Sequence, residues 1–292
     1  MSTLHYLTLT DPGNPARPRH LAYYQWGDVE NPDIIVCVHG LSRNARDFDF
    51  LAEALASRYR VIAMDMAGRG KSDWLTNKTD YNYLTYIADC CALLDGLKLE
   101  KVTWLGTSMG GIIGMMLAAQ QPQRIKRMVL NDIGAVVSAQ GLTRILGYVG
   151  SSVPFANAEE ALSHLKSILR PFGIASEAEW QFMFEISFNR LPDGRYAFAY
   201  DPDISQPFRD AASKADAIAD IDLSAAWSQV QCPVLVLRGK ESDILTHETA
   251  AAMLNRPIPT TLKEFDGVGH APALLNDVQI HTIIDWLDIT HD

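Results

Sequence analysis

The run Gly106-Thr107-Ser108-Met109-Gly110 has the spacing Gly-x-Ser-x-Gly. At a strand-to-helix turn, that spacing lifts a serine hydroxyl above a sheet, where a carbonyl can reach it. Its neighbours suit such a turn, because Lys101 to Leu105 reads as a strand and Gly111 to Ala119 as a helix. The glycines keep side chains out of the place where strand and helix nearly touch. A serine becomes a useful acyl acceptor only with a base, an orienting carboxylate and donors for the oxyanion. His270, in Gly267-Val268-Gly269-His270-Ala271-Pro272, is the expected base, held in a loop shaped by glycine on one side and proline on the other. Asp243 closes Arg238-Gly239-Lys240-Glu241-Ser242-Asp243, past the end of a strand where such sheets carry their sites, and is the expected acid. Asp132, following the strand Met128 to Leu130, ranks second. The backbone N–H groups of Leu41 and Met109 are the expected oxyanion donors. His39, at the start of the loop that carries Leu41, reads as a structural residue bonding loop backbone.

These groups need a scaffold that brings distant segments to one sheet edge. Short β-branched and apolar runs recur at Ile34 to Val38, Arg60 to Met64, Val102 to Leu105, Met128 to Leu130, Val234 to Leu237 and Leu262 to Phe265. Helical stretches separate them near Phe48 to Ser57, Tyr81 to Leu94, Ser108 to Gln121, Thr246 to Leu254 and Asp277 to Leu287. Strand alternating with helix implies a mostly parallel sheet. Leu4 to Leu9 and Leu21 to Trp26 are joined through Asp11-Pro12-Gly13-Asn14-Pro15, which is turn chemistry, so an antiparallel hairpin is expected at one edge.

From Leu130 to Val234 the alternation stops and helical periods replace it, as in an inserted helical cap. The division expected is a core first part at 1–133, a cap at 134–215 and a core second part at 216–292. Ser176 precedes Glu179 as in a capping box, with Trp180, Met183, Phe184 and Phe188 following on one face. Asn157 and Glu160 repeat the pattern before Leu162, Leu165 and Leu169, and Pro171 ends that helix. Trp180, Phe184 and Phe188 are the expected apolar lining of a substrate pocket, against the plainer reading that they pack on the core.

His39-Gly40, Met64-Asp65-Met66-Ala67-Gly68-Arg69-Gly70-Lys71-Ser72, Gly106 to Gly111, Arg238 to Asp243 and Gly269-His270-Ala271-Pro272 together resemble the cap-bearing esterases and C–C hydrolases of the α/β-hydrolase superfamily, over nearly the whole chain. The order Ser108, Asp243, His270 is that family's order of nucleophile, acid and base. The resemblance implies an α/β fold with an eight-stranded, mostly parallel sheet whose second strand is antiparallel, flanked by helices. It further implies a helical cap after the sixth strand, a Ser-His-Asp triad, and no metal or organic cofactor. Serine at the elbow, where an aspartate nucleophile would stand in dehalogenases and epoxide hydrolases of this family, favours an acyl-serine route and a carboxylesterase acting on small or medium apolar esters. Lactones and hydroxyalkanoate oligomers lie within the same ester class. C–C hydrolases of meta-cleavage type usually carry tryptophan soon after the histidine, where this chain has Ala271-Pro272-Ala273-Leu274. A small-molecule receptor on the same fold is the non-enzymatic alternative.

Composition removes other classes. The 292 residues carry 25 lysine and arginine against 35 aspartate and glutamate, a net charge of −10, which leaves no basic stripe for nucleic acid. The apolar run Gly110 to Ala119 is too short to span a bilayer, so a protein acting off the membrane, in the cytoplasm, is expected. Cys37, Cys90, Cys91 and Cys232 form no Cys-x-x-Cys pair, and His247-Glu248 lacks the second histidine of a zinc helix; no metal is expected. Gly70-Lys71-Ser72 ends like a phosphate loop, but the glycine that motif requires would fall on Asp65. The expected partner is a small-molecule ester.

Overall fold

A computed structural model of the chain describes residues 2–150, 152–213 and 218–289. Strands β1 (Thr3–Asp11) and β2 (Asn14–Trp26) form the expected antiparallel hairpin. Then come β3 (Ile34–Val38), α1 (Asp49–Leu55), β4 (Arg60–Met64), α2 (Tyr83–Gly96), β5 (Val102–Thr107), α3 (Met109–Gln120) and β6 (Ile125–Asn131). A middle segment holds β7 (Val136–Val137), α4 (Ala139–Leu146), α5 (Ala158–Leu169), α6 (Glu177–Ser187), β8 (Phe188–Arg190), β9 (Tyr196–Phe198), α7 (Gln206–Ser213), β10 (Ile221–Asp222) and α8 (Ser224–Ser228). The chain closes with β11 (Val234–Gly239), α9 (His247–Ala252), β12 (Thr260–Phe265) and α10 (Asp277–Asp288).

Eight strands share one sheet in the order β1-β2-β4-β3-β5-β6-β11-β12. Only β2 runs against its neighbours, and the pairs from β4 to β12 are parallel. Successive residues of a strand point to opposite faces, and both faces here are covered, so the inner strands read as continuous apolar runs. Val36, Val38, Trp104, Met128 and Val236 bury against α2 and α3. Their alternates Ile35, Cys37, Leu105, Val129 and Leu237 bury against α1 and α10.

Between β6 and β11 no described residue joins the main sheet. Helices α5 and α6 start where the sequence signals place them: Asn157 accepts from Glu160 N–H, and Ser176 with Glu179 forms a complete capping box. The segment is not purely helical, since β8 pairs with β9 and β7 with β10 in short antiparallel ladders. The expected boundary between 133 and 134 falls just past β6, and the one between 215 and 216 lies outside the described residues. The segment is tied to the loops at the sheet's rim. Gly70 N–H donates to Ala199 O at 2.8 Å and Asp201 N–H to Gly68 O at 2.8 Å. Arg43 reaches Ser187 Oγ at 2.6 Å, and Asn44 Nδ2 reaches Ile186 O at 2.6 Å. Among the described residues no helix is long and apolar enough to cross a membrane.

Candidate active site

Ser108 sits between β5 and α3 with φ 50° and ψ −114°, a conformation costly for a side-chain-bearing residue and tolerated only where the surroundings enforce it. The surroundings do so through close packing. A Cβ on Gly106 would lie 2.4 Å from the Gly110 backbone, and one on Gly110 would lie 2.0 Å from Val38 O. Trp104 Nε1 donates to Gly110 O at 3.0 Å, and Ser108 N–H donates to Asn131 O at 3.0 Å. The turn is thus fixed from β3, β5 and β6 at once.

His270 is 5% exposed, with Nε2 3.0 Å from Ser108 Oγ and Nδ1 2.7 Å from Asp132 Oδ2. A carboxylate only accepts, so Nδ1 carries the proton, Nε2 is left free to accept, and the serine hydroxyl donates to it. The histidine loop is held in place by three bonds. Gly269 N–H donates to Pro171 O at 2.6 Å, Ala273 N–H to Phe172 O at 3.2 Å, and Asn131 Nδ2 to Pro272 O at 2.9 Å.

The carboxylate beside the imidazole is not the one expected from the sequence. Asp243 does not face the imidazole; both its oxygens pair with Arg144 of α4, at 2.6 and 2.8 Å. The group at Nδ1 is Asp132, the second-ranked residue. Asp132 is fully buried with φ 56°, a left-handed conformation that aspartate adopts more readily than most residues. Its Oδ1 accepts Gly239 N–H at 2.9 Å and its Oδ2 accepts the Ser242 hydroxyl, so charge-assisted bonds from the end of β11 hold the carboxylate in place. Burial pushes the Asp243 carboxyl up, but the hydrogen bond and charge of Arg144, with smaller help from the His270 charge, together hold it below its usual range.

Leu41 and Met109 border the same cavity as Ser108. Among the described residues neither backbone N–H has a hydrogen-bond partner, which is the state expected of donors reserved for an incoming oxygen. The residues around them are well satisfied. His39 Nδ1 lies 2.7 Å from Gly40 O, and its Nε2 accepts Met66 N–H at 3.0 Å. Burial lowers the imidazole to about 3, so it stays neutral and structural, as expected. Sequence reasoning missed Arg69, which is fully buried. Its Nε donates to Leu41 O at 2.9 Å, Nη1 to Ala67 O at 2.7 Å and Tyr86 Oη at 2.8 Å, and Nη2 lies 3.8 Å from Met109 Sδ. It also lies over the Tyr86 and Tyr81 rings, 5.0 and 5.7 Å from their centroids. A lone arginine inside Gly-x-Gly gives no sequence signal for that position.

The expected pocket lining is also corrected. Trp180, Phe184 and Phe188 belong to a separate apolar cluster formed mostly by the middle segment and closed by Leu275 and Ala273. Phe188 stacks on Phe198 at 4.7 Å, Phe184 packs on Tyr196 at 5.4 Å, and Lys166 lies over Trp180. The cavity at Ser108 is lined instead from α4 by Leu142, Ile145 and Leu146, from α7 by Phe208, and from the core by Tyr83, Ile112 and Ile133. It measures about 40 Å³, room for roughly three water-sized groups. Among the described residues no cluster of three or more His, Cys, Asp or Glu side chains is placed to hold a metal. The arrangement can chemically pass a proton from a hydroxyl to an imidazole whose far nitrogen faces a carboxylate, beside two open N–H donors.

The family profile described as alpha/beta hydrolase fold matches residues 33–277. A 3-hydroxybutyrate-oligomer hydrolase of Cupriavidus necator is 38% identical over 270 residues, covering 91% of this chain and 92% of that protein. The crystal structure of an alpha/beta hydrolase from Novosphingobium aromaticivorans is 35% identical, with a TM-score of 0.86 and 99% of each chain covered.

Proposed function

This chain belongs to the α/β-hydrolase family, and from that membership we propose that it hydrolyses short carboxylic esters through an acyl-enzyme on Ser108, with His270 as base and Asp132 as the orienting acid. The observation that carries the reading is the continuous relay from Ser108 Oγ through His270 to Asp132, at 3.0 and 2.7 Å. His270 Nε2 takes the hydroxyl proton as Oγ attacks the ester carbonyl. The carbonyl oxygen gains negative charge and rests on the N–H groups of Leu41 and Met109. The imidazolium, steadied by Asp132, then gives its proton to the departing alcohol. Water attacks the acyl-serine by the same sequence and releases the acid.

The small apolar cavity favours a short acyl chain, and the 38% identical oligomer hydrolase favours esters of short hydroxyalkanoates. Residues 134–215 act in this reading as a cap that roofs the site. Cys37, Cys90, Cys91 and Cys232 are unpaired, which suits a reducing, cytoplasmic setting.

A panel of p-nitrophenyl acetate, butyrate and octanoate, run beside linear 3-hydroxybutyrate dimers and trimers, tests the reading. Turnover should favour the short acyl groups and the oligomers, and Ser108→Ala should reduce it by about 10³-fold or more with the melting curve retained. Wild-type rates in the alanine variant would overturn the nucleophile assignment.

A further inference from the structure

The cavity beside Ser108 is almost uniformly aliphatic. Among its described lining residues, the polar side chains are Ser108 itself and Tyr83. Tyr83 opens helix α2, whose start is fixed by the Asn82 side chain accepting Thr85 N–H. Its ring packs edge-on against Tyr86, with centroids 6.3 Å apart, and the residue is partly exposed. Among the described residues its hydroxyl has no hydrogen-bond partner. Burial pushes the phenol well above its ordinary range, so it remains a neutral donor at every working pH. A single polar side chain in an otherwise apolar lining is the kind of group that fixes a ligand's orientation and gives a site its specificity.

A carbonyl bound to Ser108, with its oxygen on Leu41 and Met109, leaves its acyl chain the cavity these residues border. We propose that the Tyr83 hydroxyl donates a hydrogen bond to an oxygen carried on the acyl chain, so that the site selects oxygenated acyl esters, of which 3-hydroxybutyryl is the short example, over plain alkanoyl esters. This selectivity rests on the ester-hydrolase reading above and deepens it. The phenol can donate to either a free hydroxyl or the ester oxygen of a longer oligomer, because both present lone pairs. The plain acyl chain leaves the phenol unpaired in the complex, and that penalty is the source of discrimination.

The test compares kcat/KM on p-nitrophenyl 3-hydroxybutyrate and p-nitrophenyl butyrate, for the wild type and for Tyr83→Phe. The wild type should prefer the hydroxylated ester by about tenfold or more. The phenylalanine variant should lower the ratio of the two values by about tenfold, with its melting temperature as the check on folding. Equal losses on both esters, an unchanged ratio, or a wild-type preference for the plain ester would each overturn the assignment of Tyr83. A wild type that hydrolyses neither ester would instead overturn the ester reading itself, and the selectivity with it. The wild-type preference is read without any variant, so the proposal stays exposed even if the substitution impairs folding.

Discussion

Asp132 at the end of β6 holds His270 Nδ1 at 2.7 Å, while Asp243, beyond the end of the neighbouring strand β11, is turned away and clasped by Arg144. The two carboxylates should therefore respond differently to neutralisation. Asp132→Asn should lower kcat on p-nitrophenyl butyrate by about 10³- to 10⁴-fold, since an amide can present its donor to Nδ1 and favour the wrong tautomer. Asp243→Asn should stay within about tenfold of wild type, the scale of a lost partly exposed ion pair. A reversed order of the two effects would return the acid role to Asp243.

That pair also marks where the sequence stops being legible. Ser108 and His270 announce themselves through local neighbours, the glycines that a tight turn requires. The acid does not. Asp132 and Asp243 both follow parallel strands that pair directly, with Leu130 opposite Val236 and Asn131 opposite Leu237. The choice between them depends on a left-handed φ at Asp132 and on an arginine 99 residues from Asp243. The aromatic stripe failed for a related reason. Spacing at i, i+3 and i+4 tells that a helix face is buried, and α6 does bury one. Nothing in the period says what covers it, and the cover here is Phe155, Tyr196 and Phe198 of the same segment with Leu275 of the core. The inner strands were readable because both sheet faces are covered there, which leaves continuous apolar runs such as Ile34–Val38 and the start of Val234–Gly239.

Gly110→Ala tests the elbow. The added methyl group would sit 2.0 Å from Val38 O and 3.0 Å from Val38 Cβ, contacts that only backbone movement can relieve. Thermal denaturation should report a loss of at least about 1–3 kcal/mol, and the folded fraction should lose activity as Ser108 shifts. Unaltered stability and turnover would mean that β3 and α3 can separate freely at this point.

His39 gives the folded state a specific acid sensitivity. Its imidazole titrates near 6.5 when unfolded and near 3 when buried. Between those values the unfolded chain binds a proton that the folded chain refuses, so stability present above pH 6.5 is lost as pH falls toward 3. The slope from this one group approaches about 1.4 kcal/mol per pH unit. Urea titrations at pH 7 and 5 should therefore give a smaller difference in His39→Gln than in wild type. Equal differences in both proteins would assign the acid sensitivity to other groups.

Arg69 holds Leu41 by its carbonyl and touches the Met109 side chain, and so acts on both proposed oxyanion donors as a positioning residue. Arg69→Met should lower kcat by about ten- to a hundredfold, below the full loss of a donor, while KM changes little. A boronic acid that mimics the tetrahedral state should lose affinity in step with kcat. The idea fails if inhibitor affinity and kcat are retained in a variant whose only defect is a lower melting temperature.

The two-residue ladder of β7 with β10 sets Val137 opposite Ile221 and Val136 opposite Asp222. Departure and return of the middle segment thus meet at a single spot. No described residue between those two spots joins the main sheet, so the register of its strands is set without that stretch. Leu142, Ile145, Leu146 and Phe208 all lie on that stretch, whereas Ser108, Asp132 and His270 do not. Part of the cavity wall is thus borne apart from the relay, while Tyr83, Ile112 and Ile133 wall it from the core and Pro171 and Phe172 of the same stretch brace the loop that carries His270.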